Sequence, residues 1–554
     1  MSETNQPEAA GSKMWSGRFR EPLDRAFEQW QRSFPFDVRL LPQEVAASKA
    51  HARMIAAAGI LTDAELETMV EGLDGVGDIT ADFTPDEPGV ISPRRLAAEL
   101  GATPGLIRRW LRKQPEFLSH HVKWARITLA DDDPLLVKLR THFAVQENLN
   151  LGREYAGQED FGKSNADLVA SAPHAEDIHH FVELQLTRLI GNLALKLHTG
   201  RSRNEQIATD MRLFVRDAID ATIKGLREWT MALTELAERT GDAVMPSYTH
   251  LQRAEPVLVA HWLLAYVSMM ERDATRLVDA RKRMNLCPLG SGAVAGATIA
   301  LNRAIAAEAL GFDGPTPNSM DATSDRDFML EFTQALSTLG IHISRFAEEL
   351  TLYSTVEFGF LDLSEAFSTG SSAMPQKKNP DFTELIRGKC GRLVGAATTL
   401  TVLIKGLPLA YNKDLQEGQE PVFDAADTIA GILRVLPAFT RSLRFRFDRM
   451  KAAATTGYLN AMAAATYLSN KGVPFRKAHE IIGNAVRLGL ESGRELNDLT
   501  LEELRGLSEA FAADFFAAIT LEATLDCHDV VGGTARARVA HALAAAKRNL
   551  EDNH

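Results

Sequence analysis

The chain has 554 residues, 45% hydrophobic and 24% charged, with 61 Lys and Arg against 73 Asp and Glu for a net charge of −12. That length exceeds one small domain, and the composition is ordinary for a soluble globular protein. An acidic balance argues against wholesale nucleic-acid binding, so any anion site must be a local cluster of basic groups.

In chain order, residues 81–172 stand apart. They contain ISPRRLAAELGATPGLIRRWLRK, where Ala97, Gly101 and Ile107 fit the small, turn and core positions of a helix-turn-helix. Over 92–126 the local charge is +6, and the DDDP of 131–134 reads as a turn and helix start. The segment reads as a small inserted helical domain. From Glu205 to Met245 no proline occurs, and Ile219, Ile223, Leu226 and Leu233 recur at helical spacing. Pro256 is placed to open a further helix that runs toward Pro288, and 323–357 and 383–405 read the same way. Strand-like alternation is scarce. An all-α, elongated bundle of long helices is predicted, with apolar stripes that favour oligomers.

Cys287, Cys390 and Cys527 are widely spaced and form no CxxC, which points away from a disulfide framework or zinc knuckle and toward a reducing compartment. The polar opening MSETNQPEAAGSK has no signal-peptide core, and no apolar run spans a bilayer. A cytoplasmic protein without membrane contact is expected.

The predicted loops concentrate the polar chemistry. TGSSAMPQKKNP (369–380) places Ser371 and Ser372 after Gly370 and before Lys377 and Asn379. A serine becomes a base only where N–H groups and a cation stabilise its alkoxide. Read alone, the stretch fits a solvated Gly-Ser turn with a charged rim better than a reactive loop. His250, in YTHLQ, is either a packed histidine or an acid/base group. Arg201, Ser202, Arg203 and Asn204 offer consecutive donors that suit a carboxylate. CPLGSGAVAG (287–296) reads as a close-packed turn, since no GK[ST] follows. The His pairs 120–121 and 179–180 point apart on a helix, and no HExxH appears, so no metal site is expected.

Together and in order, these loops resemble the argininosuccinate lyase branch of the fumarase/aspartase superfamily. GSSAMPQKKNP resembles its mobile-loop motif, and HTGRSRNEQ (198–206), YTHLQRAEP (248–256), YNKDLQE (411–417), VEFGFLDLS (356–364), KGVPFRKAH (471–479) and VGGTA (531–535) follow the same pattern. The resemblance covers most of the chain outside 81–172. It implies an N-terminal domain in two parts (1–80 and 173–200), a central bundle over 201–450 and a C-terminal helical domain over 451–554. It further implies a cofactor-free homotetramer whose active sites combine loops of three subunits, and reversible anti elimination of argininosuccinate to arginine and fumarate. By that resemblance Ser371 is the base, with Ser372 its positional competitor, and His250 is the acid/base partner. Lys377 and Asn379 match positions that hold the fumarate-side carboxylates. Ser33, Asn204 and Thr249 match substrate positions, flanked by Ser202 and Arg203. Asp177 and His179 match positions close to substrate, and Tyr411 and Gln416 match the end that binds the arginine moiety.

Three departures stand out. Gln419 occupies the position of a substrate-binding lysine, which removes an ionic partner for the arginine moiety. Glu205 replaces an aspartate, and Val182 replaces an asparagine. The alternatives are a lyase for another N-succinyl compound, a non-enzymatic structural protein on the same scaffold, or a regulatory protein whose insert binds nucleic acid or protein.

Overall fold

The computed structural model describes residues 23–78, 90–91, 107, 110–111, 122–123, 126–127, 129–130, 134–144 and 165–552. In chain order the elements used below are α1 (Leu41–Ala57), α2 (Asp63–Asp78), α3 (Ile178–Ile190) and α4 (Arg203–Thr240). The hairpin β1 (Val244–Thr249) and β2 (Gln252–Leu258) follows, then α5 (Val259–Met284), α6 (Arg303–Ala309) and α7 (Asp327–Ser354). The short strands β3 (Thr369–Gly370) and β4 (Lys378–Asn379) precede α8 (Asp381–Ile404), α9 (Gln419–Ser442), α10 (Ala461–Asn470) and α11 (Phe475–Ser492). The fold is all-α, and among the described residues its strands form short antiparallel ladders with one parallel pair.

The chain divides into two compact units, residues 1–211, 286–324 and 409–411 in the first and 212–285, 325–408 and 412–554 in the second. In the first unit, α1, α2 and α3 enclose a core of Leu41, Val45, Ile55, Met69, Leu73, Ile178, Phe181 and Leu186. Phe34 stacks on Phe181 with ring centroids 4.9 Å apart. Asp177 starts α3 as its N-cap, its carboxylate accepting from the His180 N–H at 2.8 Å. In the second unit α7 lies between α5 and α8, and α8 packs on α9. Trp229, fully buried, meets the ring of Phe346 and donates to Thr440 Oγ1 at 3.0 Å, so the largest core side chain leaves no polar atom unsatisfied. A separate apolar cluster, including Leu468, Ile482, Phe511 and Phe515, gathers around α10 and α11. Among the described residues no helix is long and apolar enough to cross a membrane.

The long helices follow the sequence expectation closely. One segment differs. Residues 246–256 form most of a β-hairpin rather than a loop, and Pro256 lies in β2 opposite Pro246 rather than at a helix start. The helix after it begins at Val259, and α4 ends at Thr240, short of Met245. The ladder shifts register between Pro246 and Tyr248, and such an irregularity lets a strand accommodate residues that cannot donate to it. Most of 81–172, with the helix-turn-helix positions Ala97 and Gly101, lies outside the described residues. Ile107 is described and buried. The described parts of this block include the helix Pro134–Ala144 and two antiparallel strand pairs, Val90 opposite Ala130 and Val122 opposite Ile127.

Candidate active site

Two short hairpins of the second unit present the catalytic candidates. In the first, Thr369 pairs with Asn379 and Gly370 with Lys378, so β3 and β4 hold the tip 371–377 between them. Asp381, in the first turn of α8, accepts from Thr369 N at 2.9 Å and Oγ1 at 2.7 Å and ties the hairpin to the helix. The Thr369 hydroxyl holds the Asp381 carboxyl below its ordinary range. Asn379 Nδ2 reaches Gly370 O at 3.3 Å, and Lys378 pairs with Asp362 at 3.0 Å. Within the tip, Ser371 Oγ accepts from the N–H groups of Ala373 at 3.3 Å and Met374 at 3.1 Å. Two amide donors on one hydroxyl oxygen favour its negatively charged form. Ser372 is exposed and makes no such bond. Lys377 is exposed on the same tip.

The second hairpin carries Thr249 and His250. Thr249 pairs with Gln252, leaving His250 and Leu251 as a two-residue turn with φ of 55° and 58°. Turns with both central residues at positive φ normally take Asn-Gly, because side chains at these angles are strained. Here two bulky residues occupy them, and both are exposed. Strain of this kind persists because the surrounding ladder holds the turn in place. His250 makes no hydrogen bond among the described residues, and none joins the two hairpins. Gln416 and Gln419, between α8 and the first turn of α9, are buried, and the Gln419 Oε1 has no hydrogen-bond partner among the described residues.

The remaining candidates lie in the first unit, Tyr411 included. Ser33 is brought to Asp177 through its N–H, which donates to Glu176 O at 3.1 Å. Both oxygens of Asp177 are engaged, one in the helix cap and the other with Arg203 Nη1 at 2.9 Å. Ser202 and Arg203 line a cleft of about 650 Å³ with His198, Arg201 and the glycine-rich loop 292–298. That loop is a tight turn, as expected, but it also forms one wall of the cleft. Glu205, fully buried, joins the two walls by accepting from Ser202 N at 3.1 Å and Gly292 N at 2.7 Å. Asn204 Nδ2 donates across to Ala293 O at 3.4 Å. Arg303, at the start of α6, fixes the loop's base through Leu289 O at 2.8 Å, Thr316 O at 2.8 Å and Ser291 Oγ at 2.9 Å.

Around His179, which the sequence reading named, the structure gathers two residues that it missed, Glu44 and Asp210. His179 Nδ1 lies 2.8 Å from Glu44 Oε2 and 3.8 Å from Asp210 Oδ2, all three side chains buried. Their ligating atoms fall within 4.8 Å of one another, close enough to hold a metal ion. The donor set speaks for a proton network instead. Glu44 Oε1 already accepts from Ser48 Oγ at 2.7 Å and Gln206 Nε2 at 3.1 Å, and the Arg201 guanidinium lies 4.0 Å away. A signal was present in α1, where Glu44, Ser48 and His51 recur at one helical face amid alanines.

Comparison with known proteins agrees with the motifs. A model of the lyase family matches residues 158–395, and one described as argininosuccinate lyase C-terminal matches 458–526. The chain is 55% identical to the argininosuccinate lyase of Acidobacterium capsulatum over 98% of its own length and 95% of that protein. It is 49% identical to that of Koribacter versatilis over 97% of each. Against that of Thioalkalivibrio sulfidiphilus, 41% identity extends over 98% of both chains. Solved structures of similar fold include EDDS lyase in complex with formate, with a TM-score of 0.68 and 23% identity over 95% of this chain and 90% of that one. Another is the 3-carboxy-cis,cis-muconate lactonizing enzyme of Pseudomonas putida, with a TM-score of 0.63 and 18% identity over 92% and 94%. Similarity that runs end to end at this level, together with the ordered loop motifs, means that the chain belongs to the argininosuccinate lyase family of the fumarase/aspartase superfamily.

Proposed function

We propose that this chain catalyses the reversible anti elimination of argininosuccinate to L-arginine and fumarate, in arginine biosynthesis. The observation that carries the assignment of its base is the pair of amide donors, Ala373 N and Met374 N, on Ser371 Oγ. The Ser371 alkoxide takes a proton from the succinyl carbon beside a carboxylate. The electron pair left behind delocalises into that carboxylate, and its developing second charge is met by Lys377 and Asn379. The pair then forms the fumarate double bond as the C–N bond breaks. His250 delivers a proton to the departing guanidino nitrogen, or orients the group that does. One proton moves off carbon, one arrives on nitrogen and no electrons leave the system, so the step requires no redox cofactor. Ser33, Asp177, His179, Ser202, Arg203, Asn204, Thr249, Tyr411, Gln416 and Gln419 bind and orient substrate, and closure of the 369–380 loop excludes water.

The reading extends to a cytoplasmic homotetramer with each site completed by loops of three subunits. The exposure of His250, Thr249 and Lys377 on the single chain supports it, since each has room for groups from other copies. Fumarate release, followed by ultraviolet absorbance with purified protein and argininosuccinate, is the direct test. Ser371→Ala should keep the native assembly and lose turnover on the order of a thousandfold or more, because a transition-state group is removed rather than packing. A near-normal rate in that variant would move the base to Ser372 or elsewhere. The unsatisfied Gln419 Oε1 favours one rival, a lyase for a different N-succinyl amine. Fumarate addition to a panel of amines, with arginine not the preferred one, would establish that rival.

A further inference from the structure

We propose that Glu44 is a positioning residue that clamps His179 as an imidazolium, with neutral Asp210 beside it, so that His179 Nε2–H is presented to a substrate carboxylate. The inference rests on the reading that His179 faces substrate.

The clamp is rigid. Glu44 Oε2 accepts a hydrogen bond from His179 Nδ1–H at 2.8 Å, and Oε1 is fixed by Ser48 at 2.7 Å and Gln206 at 3.1 Å. Arg201 Nη1 donates to Ser48 Oγ at 2.8 Å and locks the serine in turn. Glu44 and Asp210 are both fully buried. Neither Asp210 oxygen accepts a hydrogen bond, although both are shielded from water. Two ionised carboxylates side by side in such a place repel, and the Asp210 oxygens have no donor of their own to hold a charge, so a proton on one of the pair relieves the repulsion. The environment selects Asp210. Burial, then the Glu44 charge, push its carboxyl well above the ordinary range, whereas His179 and Arg201 outweigh burial at Glu44 and keep it ionised. Burial alone would discharge His179, but the Glu44 carboxylate reverses that and raises its pKa.

The other groups around His179 keep this balance. Asp177 precedes it in α3 and pairs with Arg203 of α4, and the two largely offset each other. Asp37 lies on the far side, its carboxyl pushed up to about 7 by burial and Asp177, and His198 is driven toward its neutral form by burial and by Arg201. His179 Nε2 makes no hydrogen bond among the described residues. This edge decides the chemistry. With Nδ1–H committed to Glu44, a neutral ring would offer Nε2 as a lone pair and repel a carboxylate. Only the imidazolium offers a donor there.

Neutron diffraction from crystals of the full chain in heavy water near neutral pD reads the proton positions directly. Deuterium on both His179 nitrogens and on Asp210, with none on Glu44, is expected. A singly protonated His179, or deuterium on Glu44, would overturn the clamp. Glu44→Gln keeps the shape and the Ser48 and Gln206 bonds, but turns an amide N–H toward Nδ1 and leaves a neutral ring with its proton on Nε2, so the donor toward substrate survives and its positive charge is lost. Its KM for argininosuccinate should rise about tenfold with kcat changed less, and the basic limb of the kcat/KM profile assigned to His179 should be lost. An imidazolium in the crystal with an unchanged KM in the variant would overturn the carboxylate assignment. A native protein with no turnover at all would instead defeat the proposed function, and the neutron result would still stand by itself.

Discussion

Asp37 shows how a buried group can set a pH dependence. Its carboxyl is pushed up to about 7, first by burial and then by Asp177, with the Ser33 hydroxyl and His179 acting in the opposite direction. A carboxyl whose folded pKa exceeds its unfolded value stabilises fully below about pH 4, and that contribution is lost as pH rises through about 7. Asp37→Asn removes the ionisation, so it should be more stable than the native protein at pH 8 by roughly 2–4 kcal/mol, with the gap narrowing toward pH 5. Thermal midpoints of both proteins at the two pH values check this, and a gap independent of pH would mean that Asp37 ionises freely. A second residue, Glu205, holds two buried backbone donors from opposite walls of the cleft. Glu205→Ala leaves both unsatisfied and should cost about 2–4 kcal/mol, together with a raised KM. Retained stability in that variant would show that water replaces the carboxylate. These residues also mark what the sequence could convey. Ser371, His250 and the RSRN run sit in contiguous stretches whose residue types announce their chemistry. Glu44 and Asp210 meet His179 only once α1, α3 and α4 have packed, and that meeting is written in no local spacing.

At the scale of elements, the helices were legible because their signal is redundant. The apolar repeat in α4 and the proline-free runs of α5, α7 and α8 each persist for many turns, so one misleading residue cannot hide them. The β1–β2 hairpin had no such redundancy. Its turn, His250–Leu251, lacks the glycine or asparagine that advertises positive φ, and Pro256 mimics a helix start. The mismatch between sequence and conformation is itself informative, since the ladder must hold two strained residues in place. Leu251→Gly relieves one of them. Amide exchange across 244–258 should slow by about fivefold, equivalent to about 1 kcal/mol. Faster exchange would mean that the Leu251 side chain is held by contacts worth more than the strain.

The whole molecule leaves apolar side chains uncovered along its long helices. Val278 on α5, Ile341 on α7 and Val402 on α8 are all at least half exposed on the single chain. Stripes of this kind are what helical subunits bury against one another. The two hairpins proposed to carry the chemistry bear the same message, for nothing among the described residues bonds His250 to the Ser371 tip. If assembly supplies the missing proximity, His250 and Ser371 of one active site come from different copies. Mixed assemblies decide this. Ser371→Ala and His250→Asn are each expected to be inactive alone. When equal amounts are dissociated together and reassembled, a site that draws the two residues from different copies receives both native side chains in about one case in four. Fumarate formation should therefore recover to about a quarter of the native rate. If one copy supplies both residues, every site carries a defect and no activity returns. The recovered rate thus separates a shared site from a private one, and a native-sized assembly in the same mixture confirms that reassembly took place.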